Sequence, residues 1–141
     1  IAEAAQEMWR KNLGIEVDLH GIEWGVFVQE RRSHNFDICR GGWIGDYNDA
    51  TTFLDLFKSD NNNNHPGWKN SEFDKMLAQA DAAGLQHSRK TFLENAEKIL
   101  IEDMPIIPLY FDATCHLVNP NLGGWHANIL DWHPLKYIYR K

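Results

Sequence analysis

The chain is poor in the features that mark several functional classes. Among its 141 residues are two cysteines, Cys39 and Cys115, and five prolines, too few cysteines for a disulfide-built scaffold though enough for one bridge, two buried thiols being the plain alternative. No apolar run approaches the roughly 20 residues that a membrane-spanning helix needs, and the opening Ile1-Ala2-Glu3-Ala4-Ala5-Gln6-Glu7-Met8-Trp9-Arg10-Lys11 lacks the layout of a signal peptide. Positive charge is in deficit: 14 basic against 20 acidic residues leave a formal charge of -6, so no basic face recommends nucleic acid as a partner. There is no H-E-x-x-H, C-x-x-C, G-x-S-x-G, P-loop or dinucleotide fingerprint. The seven histidines are scattered, with His126, Asp131 and His133 only loosely grouped, and we expect neither a metal site nor a cofactor.

What remains is strong apolar periodicity in a chain of one-domain length, where roughly two-thirds of the unfolded surface can be buried. Ile1, Ala5, Met8 and Leu13 share a helical face that ends at Gly14, with no capping residue before it. Ile15 to Leu19 alternates apolar and polar and reads as a strand. Trp24 to Arg32 reads as a helix with Phe27 and Val28 inward, leading to a strand from Phe36. Thr52 with Asp55, and Ser71 with Asp74, have capping-box spacing and predict helix starts. Phe73, Met76, Leu77 and Ala80, then Phe92, Ala96, Ile99 and Leu100, form two further helical faces separated near Ala83-Gly84, and Pro105 stops the second. Ile106 to Phe111 and Leu135 to Tyr139 read as strands, so the expected class is α/β with a mixed or largely parallel sheet flanked by helices. The Asn61-Asn62-Asn63-Asn64 tract is a polar loop.

The densest chemistry lies between Phe36 and Asp49. A strand runs into glycines that let another backbone approach closely, and Arg40, Trp43 and Asp46 supply a cation, a flat apolar wall and an anion within seven residues. A ligand with two opposite charges and an apolar middle fits that set, and a peptide is such a ligand. Each residue also has a plainer reading: Asp46 as a turn cap, Trp43 as core, and Arg40 in a surface ion pair with Asp37 or Glu30.

The run Trp43-Ile44-Gly45-Asp46-Tyr47-Asn48-Asp49-Ala50-Thr51-Thr52-Phe53-Leu54 resembles the periplasmic oligopeptide-binding proteins, family 5 of the extracellular solute-binding proteins. The resemblance extends to Glu23-Trp24, to Asn63-Asn64-His65-Pro66-Gly67-Trp68, to Ser71-Glu72-Phe73-Asp74 and to Met104-Pro105-Ile106-Ile107-Pro108-Leu109-Tyr110, covering nearly the whole chain in order. It implies a piece of the C-terminal lobe of a class II periplasmic-binding-protein fold, residues 1–141 as a single part, with about 114–141 recrossing toward a missing N-terminal lobe. It implies a non-catalytic, extracytoplasmic receptor that closes over short peptides and delivers them to the membrane permease of an ABC importer.

The site residues it implies are Trp24, Arg31, Arg40, Gly42, Trp43, Ile44 and Asp46. Asp46 pairs with the ligand α-ammonium, Trp24 and Trp43 wall a roomy side-chain pocket, and Arg40, with Arg31 beside it, meets a carboxylate. The backbones of Gly42 and Ile44 pair with the ligand as an added strand. Dipeptide, murein-peptide and nickel carriers share the pattern, with Tyr47-Asn48 closer to the oligopeptide branch. Two readings from other classes stand beside this one. Tryptophan with asparagine also describes a carbohydrate-binding domain, and Asp46 with Asp37 or Asp49 could serve a glycosidase-like enzyme if their separation suited it.

Overall fold

The computed structural model describes residues 1–141, which divide into two compact units, Ile1–Gly42 and Trp43–Lys141. In the first unit, α1 spans Ala2–Leu13 and Ile1, at its N-cap, offers no side-chain acceptor. Gly14, at φ 66°, ends the helix in the left-handed region and donates its N–H to the Trp9 carbonyl. Gln6 then ties the helix to the following segment by donating to the Val17 carbonyl at 2.5 Å. The second helix, α2, spans Trp24–Arg32 as its pattern predicts. The Glu23 carboxylate accepts from the N–H groups of Gly25 and Val26 at 2.7 and 3.2 Å, satisfying donors that a helix start leaves open. Phe27 and Val28 are half-buried while Trp24 is exposed, so the helix has the orientation its sequence suggests.

In the second unit, α3 is a single turn, Thr51–Leu54, continued by a 3-10 turn at Asp55–Phe57. Two longer helices, α4 (Ser71–Ala82) and α5 (Gln86–Asp103), fold back on one another and hold the core. Phe73, Leu77 and Ala80 of α4 are buried with Leu93, Ala96 and Leu100 of α5 and with Leu54 of α3. Phe92 and Ile99, expected to be inward, only flank this core. The true α5 seam is Leu93, Ala96 and Leu100, spaced i, i+3 and i+7.

Both helix caps lie upstream of their predicted positions, at Ala50, two residues before Thr52, and at Asn70, one residue before Ser71. Asn70, not Ser71, caps α4 by accepting from Glu72 and Phe73 N–H, which frees the Asp74 carboxylate to take the Ser59 N–H at 3.1 Å. The asparagine tract is a built corner, since buried Asn64 donates to the carbonyls of Lys58 and Trp68. Asp103 closes the core's edge by accepting from Trp68 Nε1 and Asn70 Nδ2 at 3.1 and 2.9 Å.

The expected sheet does not form within this chain. The only ladder joins β1 (Leu122–Gly123) and β2 (Tyr139–Arg140), antiparallel, with Leu122 opposite Arg140 and Gly123 opposite Tyr139. Leu135–Tyr137 is a 3-10 turn, and Ile15–Leu19, the Phe36 segment and Ile106–Phe111 carry no regular structure. Alternation reports which side chains want opposite surroundings, but a strand also needs a neighbour for its N–H and C=O groups. These segments find none here, and Leu19, Ile38, Ile107 and Leu109 are exposed. No helix is long and apolar enough to cross a membrane.

Candidate ligand-binding site

The implied site residues fall in both units, Trp24, Arg31, Arg40 and Gly42 in the first and Trp43, Ile44 and Asp46 in the second. On α2, Trp24, Phe27 and Arg31 share one face at i, i+3 and i+7. The Trp24 and Phe27 rings lie 5.5 Å apart, and the Arg31 guanidinium sits 5.4 Å over the Phe27 ring. Arg31 Nε is buried without a hydrogen-bond partner. Burial pushes the nearby Cys39 thiol up, against the pull of the Arg31 charge. Cys39 and Cys115 are both free thiols, so the bridge that two cysteines permit is not made. Arg40 and Gly42 are exposed. The surface ion pair envisaged for Arg40 is also absent: Glu30 instead accepts a hydrogen bond from Asn35 Nδ2.

In the second unit the acidic turn is held from several sides. The Asp46 N–H donates to Thr52 Oγ1 at 2.8 Å. Asp49 Oδ1 accepts from the Thr51 N–H and hydroxyl at 3.0 and 2.8 Å, and the Tyr47 hydroxyl meets Thr51 Oγ1 at 3.1 Å. Arg89, from α5, closes a two-pronged pair on both Asp49 oxygens at 2.8 Å each. Gly45 is buried, and a Cβ there would lie 3.3 Å from Thr52 Cγ2, so the backbone packs closely against α3. The turn cap is therefore Asp49, whereas the exposed Asp46 carboxylate makes no hydrogen bond or ion pair. Trp43 and Ile44 are exposed beside it, at 41% and 76%, which removes the core reading of Trp43. A free anion and a flat apolar ring on a pinned turn can recognise a cation with an apolar neighbour.

Hydrogen bonds from Arg89, then from the Thr51 N–H, hold the Asp49 carboxyl far below the usual carboxylate range. Its folded value lies below its unfolded one, so this stabilisation is complete above about pH 4 and is lost as pH falls from there toward the folded value. Arg89→Met should cost about 1 kcal/mol at neutral pH, a figure reduced because both side chains are about a third exposed. Urea denaturation at neutral and strongly acidic pH should show the gap between variant and parent shrinking in acid. An equal gap at both would mean that the ion pair contributes nothing.

A second group lies in the C-terminal segment, unmarked by spacing. Asp131 Oδ1 is 2.7 Å from His116 Nε2 and 2.9 Å from His133 Nε2, and these contacts hold its carboxyl down at about 2. His126, which the sequence places nearest to Asp131 and His133, is not the third member; His116 is. His116 and Asp131 are fifteen positions apart, so only the fold could reveal the pairing. Beside the group, Gly124, His126, Asn128, Trp132, His133, Pro134, Tyr137 and Tyr139 line an open cavity of about 500 Å³.

Known proteins match the chain along most of its length. Residues 1–65 match the family described as bacterial extracellular solute-binding proteins, family 5, middle region. The oligopeptide-binding protein OppA of Bacillus subtilis is 43% identical over 125 residues, 88% of this chain and 23% of that protein. The periplasmic murein peptide-binding protein MppA of Escherichia coli is 41% identical over 128 residues, 91% of this chain and 24% of that protein. The solved structure of Haemophilus influenzae OppA, in complex with RPPGFSPFR, superposes with a TM-score of 0.83 at 35% identity, covering 99% of this chain and 28% of that one. The chain thus spans about a quarter of the length of the relatives it matches. With the free Asp46 turn and the α2 face in place, these matches put the chain in a family: it belongs to the bacterial extracellular solute-binding proteins of family 5.

Proposed function

We propose that the chain supplies part of the C-terminal lobe of a two-lobe receptor for short peptides, acting outside the cytoplasm and passing its ligand to the membrane permease of an ABC importer. The observation that carries this reading is the unpartnered Asp46 carboxylate beside exposed Trp43, on a turn fixed by Thr52, Thr51 and Arg89. Such an anion takes the peptide α-ammonium without regard to side-chain identity. Trp43 and Trp24 house side chains, the backbones of Gly42 and Ile44 offer ladder partners, and Arg40 and Arg31 meet carboxylates. The proteins named for oligopeptide and murein-peptide binding support the ligand class. In this reading the mixed sheet is completed by strands outside the chain, and the segment from about Thr114 recrosses toward the N-terminal lobe.

The protein is not an enzyme in this reading. A glycosidase-like pair would need Asp46 with Asp37 or Asp49, and Asp49 is committed to Arg89 and kept ionised, unfit to donate a proton. The carbohydrate reading keeps its tryptophans but leaves the free carboxylate without a task. Calorimetry on the receptor at the full length of its relatives tests the choice, using a tri- and tetrapeptide pool, the same pool N-acetylated, and an oligosaccharide pool. Heat from free-amine peptides alone is expected. Equal binding of acetylated peptides, or binding of the sugars instead, would overturn the assignment.

A further inference from the structure

The His116, Asp131 and His133 group has the composition and spacing of a metal centre. The three candidate ligand atoms lie within 4.8 Å of one another, and both imidazole Nε2 atoms face the same carboxylate oxygen. Their orientation is set by packing. Trp125 stacks on the His133 ring at 3.9 Å and 15° and meets the His116 ring edge-on at 5.0 Å, while the two imidazoles stand 5.1 Å apart at 79°. The His133 side chain is 10% exposed and that of Asp131 40%, so the group is walled on one side and open on the other. Asp131 itself sits at φ 50°, where a non-glycine residue is held only if its surroundings dictate it. The loop does so: Asn128 Oδ1 accepts from the Trp132 N–H, and Asn128 Nδ2 donates to the Trp132 carbonyl.

We propose that His116 Nε2, His133 Nε2 and an Asp131 carboxylate oxygen bind one divalent metal ion of the zinc class, with water on the open side. Two imidazole nitrogens and one carboxylate suit zinc, which takes such ligands at about 2.0–2.2 Å in a tetrahedral array. That array sets ligand atoms about 3.3 Å apart, so the 2.7 and 2.9 Å contacts to the carboxylate open slightly while the wider spacing, within 4.8 Å, contracts. The proton each Nε2 directs at Asp131 moves to Nδ1 or to solvent as the metal takes its place. The ion would fasten residues 112–121 to residues 124–134, two stretches without helix or strand.

The chain, stripped with a chelator and dialysed, is titrated with zinc chloride by calorimetry and with cobalt chloride by visible absorbance. One ion per chain is expected, with the intense absorption of four-coordinate cobalt. His116→Ala and His133→Ala should each weaken zinc binding at least tenfold, and His126→Ala should leave it unchanged. Should either alanine variant lose its thermal transition, Asp131→Asn, which keeps the side-chain volume, carries the test through loss of the zinc-induced rise in Tm. No stoichiometric uptake by the parent, or parental affinity in a His116→Ala/His133→Ala double variant, would overturn the proposal. So would parental affinity and an undiminished Tm rise in Asp131→Asn.

Discussion

Phe73→Ala is expected to lower the stability of the chain by about 3–5 kcal/mol, the range for truncating a fully enclosed aromatic. Phe73 is the largest side chain with no exposed surface, and Trp68 meets its ring edge-on at 4.9 Å. Truncation removes the buried ring and leaves a void between α4 and α5 that Ala80 and Ala96 are too small to fill. Urea denaturation measures the loss, with Leu85→Ala, at a site 71% exposed, as a control expected to change stability by about 0.5 kcal/mol or less. A Phe73→Ala loss as small as the control's would mean that the core is not organised around this ring.

Asp46→Asn should act on ligand affinity and leave stability alone. If the carboxylate meets the peptide ammonium in the closed receptor, the variant leaves a desolvated cation unpaired and costs about 2–5 kcal/mol in binding, on the order of thirtyfold to several thousandfold in Kd. Because the carboxylate has no partner within the chain, the thermal transition of Asp46→Asn should match the parent's. Calorimetry with a free-amine tripeptide on the full-length receptor, paired with thermal denaturation, separates the two effects. Unchanged affinity would remove Asp46 from the site, and a large fall in Tm would show that the carboxylate is structural.

The helices were legible because their determinants are local. Trp24–Arg32 carries its own cap and face, and Leu13-Gly14 its own stop. Strands were not, since Ile15–Leu19 and Ile106–Phe111 have the right alternation but depend on neighbours that their own sequence does not specify. The caps show a finer limit. Asn70 takes the cap of α4 from Ser71, and Thr52 accepts the Asp46 N–H instead of capping α3, although the spacing favoured Ser71 and Thr52 as caps. At the site, composition alone made Asp46 a turn cap, and that role belongs to Asp49, three residues on. Asp49 is held in that role by Arg89, forty positions away, which no local pattern links to the turn. His116 was missed for the same reason.

The α4–α5 pair also bears on the order in which the chain acquires structure. Only residues 83–85 separate the two helices, so their buried faces meet after closing a very short loop, at little cost in chain entropy. Contacts this local form early and fast. The hairpin is therefore placed to act as a nucleus emerging ahead of residues 104–141, whose single ladder must wait for Arg140 to find Leu122. A growing polypeptide would hold a formed core in solution while its C-terminal stretch was still being made.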